Sequence, residues 1–469
     1  MNHFTKFAAA ALLSCTALSV SGMASAQPVS EPVDMRQAIE IAMATNPEII
    51  QAQMNTEAIQ FERDQAQGLY FPTIDVEASA GVRRLENNTR RTLGISDNWL
   101  NPIEGQIRGD WTIFDFGRRR GELLRQAARV DGASLRVVER SEFVALQVAR
   151  QYLNILLQER VVAAADDNAL FHEQLTASLG EGVEQGSISI ADQQQAEERL
   201  QAAVVLREEA RKDLTDARTS LRRLTGLDIN QVVMPGDLTA LMPNNLEAAI
   251  GAARTSNPLV REAQADVDAA NAMIKAARGD LFPTIGAEVR GRVGEDIDGF
   301  QGHTNDVMGR IYLRWTLYNG GIKEANVQEM TRRASEARYR MHDRIREAEE
   351  DVTNAWTVLE TQGRVGQALE RQSEVSDDLL LSYREQFNIG RRSLLDVLDA
   401  QNTRFNTQVR RETSRFSEIF AAYQVLASTN RFLEALNVAP GAGAGMEERE
   451  RFNYGPSVEA ELSRRRNPR

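Results

Sequence analysis

The chain is poor in the residues that most catalytic and metal chemistry needs. Its single cysteine, Cys15, falls in the first twenty positions. Disulfide scaffolds, cysteine-based zinc sites and thiol catalysis are thereby excluded for everything after it. Four scattered histidines, His3, His172, His303 and His342, leave little imidazole chemistry. Basic excess is also missing, with 55 Lys and Arg against 67 Asp and Glu for a net charge of −12. An electropositive field for nucleic acid is therefore absent, and no nucleic-acid partner is expected. There is no Gly-x-Ser-x-Gly elbow, no Walker loop, no His-Glu-x-x-His and no metal-spaced histidine cluster. Neither an enzyme nor a cofactor or metal site is expected, and the acidic pairs on charged helices read as solvated faces. Beyond the amino terminus nothing approaches eighteen consecutive apolar residues, so any membrane insertion must use strands.

What is present begins with an address. Lys6 precedes an apolar run from Phe7 to Val20, and Ala24-Ser25-Ala26 stands before Gln27. Residues 1–26 read as a secretory signal peptide with an A-x-A cleavage site. Leu12-Leu13-Ser14-Cys15 resembles a lipoprotein site that would acylate Cys15, but its apolar stretch is very short and it ranks below cleavage after Ala26.

Length alone suggests about three domains, yet the chain is written twice. Residues 38–77 match 249–288 at a constant offset of 211, with fifteen of forty positions identical. Trp111-Thr-Ile-Phe114 answers Trp315-Thr-Leu-Tyr318 at an offset of 204, as Gly186 answers Gly390 and Asp192 answers Asp396. The halves run over 33–230 and 244–438, joined by a linker over 231–243. Such self-similarity is the organising fact.

Each half repeats one order of periodicities. A helix is interrupted at Asn46-Pro47 or Asn257-Pro258, where Asn suits the N-cap and Pro the first position of a new helix. That helix stops at Gly68 or Gly279, Phe71-Pro72 or Phe282-Pro283 follows, and the period changes from 3.6 to 2. Four alternating strands are expected near 71–84, 104–116, 283–293 and 307–318, each about long enough to cross a bilayer when tilted. The intervening stretches 84–102 and 294–306 read as outer loops. The remainder is long helix, with none of the prolines that would break it from Arg118 to Gly182. Ala196, Leu200, Ala203, Arg207, Ala210, Leu214, Ala217, Leu221 and Leu224 step by 4 and 3, and a seam from Phe405 to Leu433 does the same. This spacing marks coiled-coil packing, although heptad stripes also occur in four-helix bundles.

Four strands cannot close a barrel, and an open edge in lipid is prohibitively costly. Several chains must share one barrel. Two copies would give eight strands and a filled interior, three would give twelve and a lumen, and three is the favoured number. Polar members would line water, while the apolar ones, with Trp111 and Trp315 near the interface, would face lipid. The competing architecture is a soluble sheet beside helices. The competing function is a periplasmic coiled-coil adaptor or scaffold without a pore.

At the far end, Gly186 and Gly390 each stand about six residues before an Asp and mark helix-to-helix turns. Asp396 and Asp399, three apart, project from one helix face. In a trimer with that face inward, six carboxylates would ring an entrance. Asp396 can also be read as an N-terminal acid that favours the helix dipole.

The doubled Asn-Pro breaks, the Phe-Pro pairs, the Trp111-Thr-Ile-Phe-Asp115-Phe-Gly117 strand exit and the Gly390-Arg-Arg-Ser-Leu-Leu-Asp396-Val-Leu-Asp399-Ala turn resemble the TolC family of outer-membrane channel-tunnel proteins over about residues 33–438. The resemblance implies a mixed α/β membrane protein, a homotrimer whose shared twelve-stranded barrel lies in outer-membrane lipid and continues as a helical tunnel across the periplasm. It implies a passive exit duct of a Gram-negative cell, serving type I protein secretion or multidrug efflux. Its partners would be a periplasmic adaptor and an inner-membrane ABC or proton-driven transporter. The Asp115-Phe-Gly-Arg exit looks more like the type I secretion members. By resemblance, Asp396 and Asp399 match the family's acidic constriction, Arg392 a basic residue that helps tie the tip shut, and Asp192 the equivalent place in the first half. The tyrosine often found in the Phe387-Asn-Ile-Gly390 stretch is absent. Residues 439–469, low in apolar content, read as a flexible tail without assigned function.

Overall fold

The computed structural model describes residues 32–229 and 231–454. The signal-peptide and Cys15 expectations lie outside them. In chain order the elements are α1 (Met35–Thr45), α2 (Pro47–Gly68), β1 (Thr73–Ala80), α3 (Asn88–Thr92), β2 (Ile103–Phe114), α4 (Arg118–Glu184) and α5 (Ile190–Thr225). The second half supplies α6 (Leu246–Ser256), α7 (Pro258–Gly279), β3 (Thr284–Glu295), β4 (His303–Arg314), α8 (Ile322–Asn388) and α9 (Leu394–Ser428), followed by two short helices, α10 (Phe432–Leu436) and α11 (Glu448–Arg451).

Helices α4 and α8 each hold 67 residues. At 1.5 Å per residue each reaches on the order of 100 Å. One end of α4 pairs antiparallel with α5 and of α8 with α9, while toward the sheet α2 and α7 take over as neighbours. The alanine-rich seam of α5 is the buried face: Ala196, Ala203, Ala210, Ala217, Leu221 and Leu224 are all enclosed. Arg207, its one polar member, stays partly exposed and pairs with Glu208 at 3.1 Å. Among the described residues no helix is long and apolar enough to cross a membrane.

The two Asn-Pro breaks are built identically. Asn46 accepts the Glu48 amide at 2.9 Å, and its Nδ2 donates to the Leu224 carbonyl at 3.2 Å. Asn257 accepts the Leu259 amide at 2.9 Å and donates to the Ser428 carbonyl at 3.2 Å. Each asparagine thus caps one helix and closes the end of another. Around them Ile39, Ile49, Val148, Tyr152, Leu221, Tyr423, Leu426 and Phe432 form a core drawn from both halves. The Tyr152 hydroxyl binds Val33 and Val233 backbone, anchoring the segment before α1 and the linker to α4.

Strands β1 to β4 form one antiparallel sheet in sequence order. Their limits differ from expectation at both ends: β1 holds only eight residues and stops at Ala80, and β3 and β4 run on to Glu295 and from His303, which shortens the outer loop expected over 294–306. Strand β2 stops at Phe114 because Asp115 turns to Arg119 and Phe116 takes φ 52°. Strand β4 stops at Arg314, and Trp315 donates its indole N–H to Leu281 O at 3.1 Å. The loop after β1 contains α3, which periodicity did not reveal. Arg90 of α3 is fully buried and donates to Ile95 O, Asn98 O and, across to the other outer loop, Gly299 O.

The expectation of a flexible tail fails for residues 439–454, which pack on α2, α4 and α7. Buried polar positions of α4 receive the backbone: Ser141 accepts Gly441 N–H and Ser134 accepts Met446 N–H, both at 3.0 Å. Asp131 accepts the amides of Glu448 and Arg449, and Arg449 bridges on to Asp268 at 2.6 Å. Low apolar content argued for disorder, but this segment is held by hydrogen bonds to α4 rather than by a core of its own.

Glu142 of α4 is one buried polar side chain that is not fully satisfied. It is buried, one oxygen accepts Leu433 N–H at 3.4 Å, and Oε2 has no partner. Burial pushes its carboxyl up to about 8. A carboxyl raised in the folded state binds more protons there, so stability falls as pH rises from about 4.5 toward 8. Glu142→Gln should therefore match the parent near pH 5 and be more stable by about 1–3 kcal/mol at pH 8. Thermal loss of helical circular dichroism at both pH values checks this, and a pH-independent difference would contradict it.

Candidate functional site

Alternation gives the sheet two unlike faces. Ile74, Val76, Ile107, Trp111, Val289, Val307, Ile311 and Leu313 stand on one face, and all are exposed in the protomer. Register aligns them: Val76 faces Ile107, Trp111 faces Ala287, and Ala287 faces Ile311. The other face is a lattice of charge. Arg310 holds the buried Glu288 at 2.5 Å, Arg108 holds Asp110 at 2.6 Å, and Arg292 lies 2.8 Å from Asp298. Both outer strands, β1 and β4, have one edge without a partner in the described chain.

Where sheet meets helix, both tryptophans are fixed alike. Trp111 donates to Tyr70 O at 2.9 Å as Trp315 does to Leu281 O, just before the Phe71-Pro72 and Phe282-Pro283 pairs that start β1 and β3. Arg119, unremarked in the sequence reading, forms a buried ion pair with Asp115 at 2.8 Å. It also donates to the carbonyls of Leu69, Thr112 and Ile113. The Asp115–Arg119 spacing of four was its available signal.

At the opposite end Gly186 and Gly390 both take φ 72°, the left-handed conformation that lets each turn reverse without a Cβ penalty. Ser189 then caps α5 and Ser393 caps α9. Asp192 accepts from the Ser189 hydroxyl at 2.7 Å, and Asp396 from that of Ser393 at 2.8 Å, so the two occupy equivalent places. Asp396 also accepts Ser393 N–H, completing a capping box. The Ser393 hydroxyl, with Arg392 nearby at 3.7 Å, holds its carboxyl below the usual carboxylate range. Asp399, one turn on, is exposed.

Arg392 also lies over the Tyr383 ring at 4.0 Å and donates to Gln386. The tyrosine absent from Phe387–Gly390 is not the only aromatic within reach: Tyr383 lies one helical turn earlier. Behind the tip, Gln401 of α9 donates to Asn168 of α4 at 2.8 Å in a buried contact between halves. Among the described residues no cluster of His, Cys, Asp and Glu could hold a metal ion.

Long antiparallel helices surmounted by one amphipathic sheet define the class: the protomer of an outer-membrane channel-tunnel. The model of the outer membrane efflux protein family matches residues 38–227 and 249–430, one stretch in each half. The chain belongs to that family. It is similar to the outer membrane efflux protein BepC of Brucella suis, 25% identical over 291 residues, which are 61% of this chain and 62% of that protein. The aligned region thus spans about three fifths of that relative's length. Outer membrane protein TolC of Escherichia coli is 21% identical over 85% of this chain and 82% of its own. The solved Campylobacter jejuni CmeC outer membrane channel has the same fold, with a TM-score of 0.74 at 15% identity, covering 85% of this chain and 86% of that one. The sheet accordingly lies in the outer membrane of a Gram-negative cell, with the helices in the periplasm.

The capping geometry carries its own expectation. Ser393→Ala should fray the first turn of α9, cost about 1 kcal/mol and speed limited proteolysis after Arg391 and Arg392. Unchanged cleavage rates would remove the cap from the account.

Proposed function

We propose that three copies of this chain close a twelve-stranded barrel and that the assembly is a passive exit duct for type I protein secretion or multidrug efflux. One observation carries the reading: a sheet with an exposed apolar face and two unpaired edges crowns helices on the order of 100 Å long. Hydrocarbon tolerates the face but not the edges, so sister strands must complete the ring. Eight strands would leave an interior filled by side chains, whereas twelve leave room for a lumen. Nothing in the barrel or tunnel calls for catalysis, and the transported energy would come from elsewhere. The partners are a periplasmic adaptor and an inner-membrane ABC or proton-driven transporter, met at the tip. A pore-free periplasmic adaptor would have no use for the apolar sheet face. The test is retention in outer membranes after carbonate washing, together with the mass of the detergent-extracted, amine-crosslinked protein. A carbonate-soluble monomer would refute the duct.

In this assembly Asp396 and Asp399 of three chains ring the periplasmic entrance, and Arg392 braces it. Asp396 then serves as helix cap and pore carboxylate together, while Asp399 serves only the pore. Asp396→Ala with Asp399→Ala should weaken cation preference and block by multivalent cations in bilayer recordings. Unaltered selectivity would sink the ring. Arg392→Ser, which removes both the Asp396 pair and the Tyr383 stack, should raise single-channel conductance, and equal conductance would count against the brace.

A further inference from the structure

On the polar face of the sheet most charges pair within the protomer, edge strands included: Arg108 with Asp110, Arg310 with Glu288 and Arg290 with Asp306, while Glu77 accepts from Gln106 at 2.6 Å. Among the described residues the carboxylate of Asp75, on edge strand β1, has no hydrogen bond or ion pair, because Arg108, opposite it in the ladder, is engaged with Asp110 and Glu288. Among the described residues the guanidinium of Arg314, at the end of edge strand β4, meets only the Tyr312 ring, at 5.3 Å. An acid on one edge and a base on the other, both near the helix end, await partners. A second copy of this chain offers both.

We infer that Asp75 of one subunit and Arg314 of its neighbour form the ion pair that sets the register of the barrel seam. This rests on the shared-barrel reading above. The register follows from geometry. Straight across the protomer, Thr73, Asp110, Glu288 and Arg310 lie on one line. In a twelve-stranded barrel tilted by about 35–45°, with strands ~4.8 Å apart and residues rising ~3.3 Å, that line is displaced by about 12–17 residues per circuit, or about four to six per protomer.

The direction is fixed as well. Gly81 and Arg83, continuing the β1 ladder, point their N–H groups at the β2 side. With the apolar face outward, L-residue chirality then puts β2 to the left of β1 seen from outside. Right-handed strand tilt carries the line toward the outer end of the next β1. Arg310 therefore comes level with Glu77 or Ser79 of the neighbour. In the second register Asp75 directly opposes Arg314. In the first it is diagonal to it, still within reach of a long side chain. A shift by one residue would turn the apolar face into the lumen, so the seam admits only even steps.

Cys15 is the chain's only cysteine, so introduced pairs report cleanly. Oxidation in isolated outer membranes should crosslink Asp75→Cys with either Arg314→Cys or Tyr312→Cys into covalent dimers and trimers, and should not crosslink Asp75→Cys with His303→Cys. Separately, Asp75→Arg should raise the monomer fraction in mild detergent on the order of tenfold, and Arg314→Asp should restore the trimer. Absence of both disulfides, or failure of the rescue, overturns the pairing. If the parent protein is trimeric in the same detergent, the shared barrel survives that result. A parent that never exceeds a monomer would instead remove the reading beneath it.

Discussion

Hydrogen bonding in hydrocarbon is the constraint from which the rest of this architecture follows. A strand edge that meets water loses little, but the same edge in lipid leaves a row of N–H and C=O groups unsatisfied, each at a cost of several kcal/mol. A chain with four strands can meet that condition only by association. The exposed Val76, Ile107, Val307 and Ile311 therefore belong to a protomer that is incomplete by itself. On the opposite face the one enclosed carboxylate, Glu288, lies between Arg310 and Arg108, so its burial is matched by charge on both sides. The two faces make inversion of the sheet costly in both directions.

Below the sheet the problem changes from satisfying edges to holding long helices in register. Alanines along α5 permit close approach, but small apolar contacts alone allow sliding. Polar groups supply the fixed points. Asn46 and Asn257 each join a helix start to the end of a returning helix, and Gln401 meets Asn168 across the two halves. The segment 439–454 adds a brace across α4 and α7 through Arg449, Asp131 and Asp268. A buried pair of this kind gives geometric specificity more than net stability.

Duplication, strand alternation and the seam of α5 were legible because each is a local pattern repeated at a fixed step. Asn46, Pro47, Asn257 and Pro258 were legible for the same reason, as a motif occurring twice. What was missed is polar and distant in sequence. Arg90 finds its acceptor at Gly299, and Arg449 finds Asp131, across separations no periodicity records. The second half also offers no copy of either: the repeat detects what both halves share and is blind to what one half adds. At the tip the turn glycines and acids were found from spacing, whereas Tyr383 was not. Its role depends on Arg392 folding back over the preceding helix.

That fold-back leaves the turn defined but held by contacts that are individually light. Within one protomer, Arg392 is held by an aromatic face, an amide oxygen and a carboxylate 3.7 Å away, all partly exposed and individually weak. Asp396 is committed more firmly, to the Ser393 hydroxyl and amide that start α9. Movement of the turn can therefore exchange the partners of Arg392 without unwinding the helix that carries the acids. In the proposed assembly such a turn would keep its acids in place while the contacts of Arg392 exchange. The Gly390 turn supplies the reversal, and the intact cap carries Asp396 and Asp399 together as one rigid face.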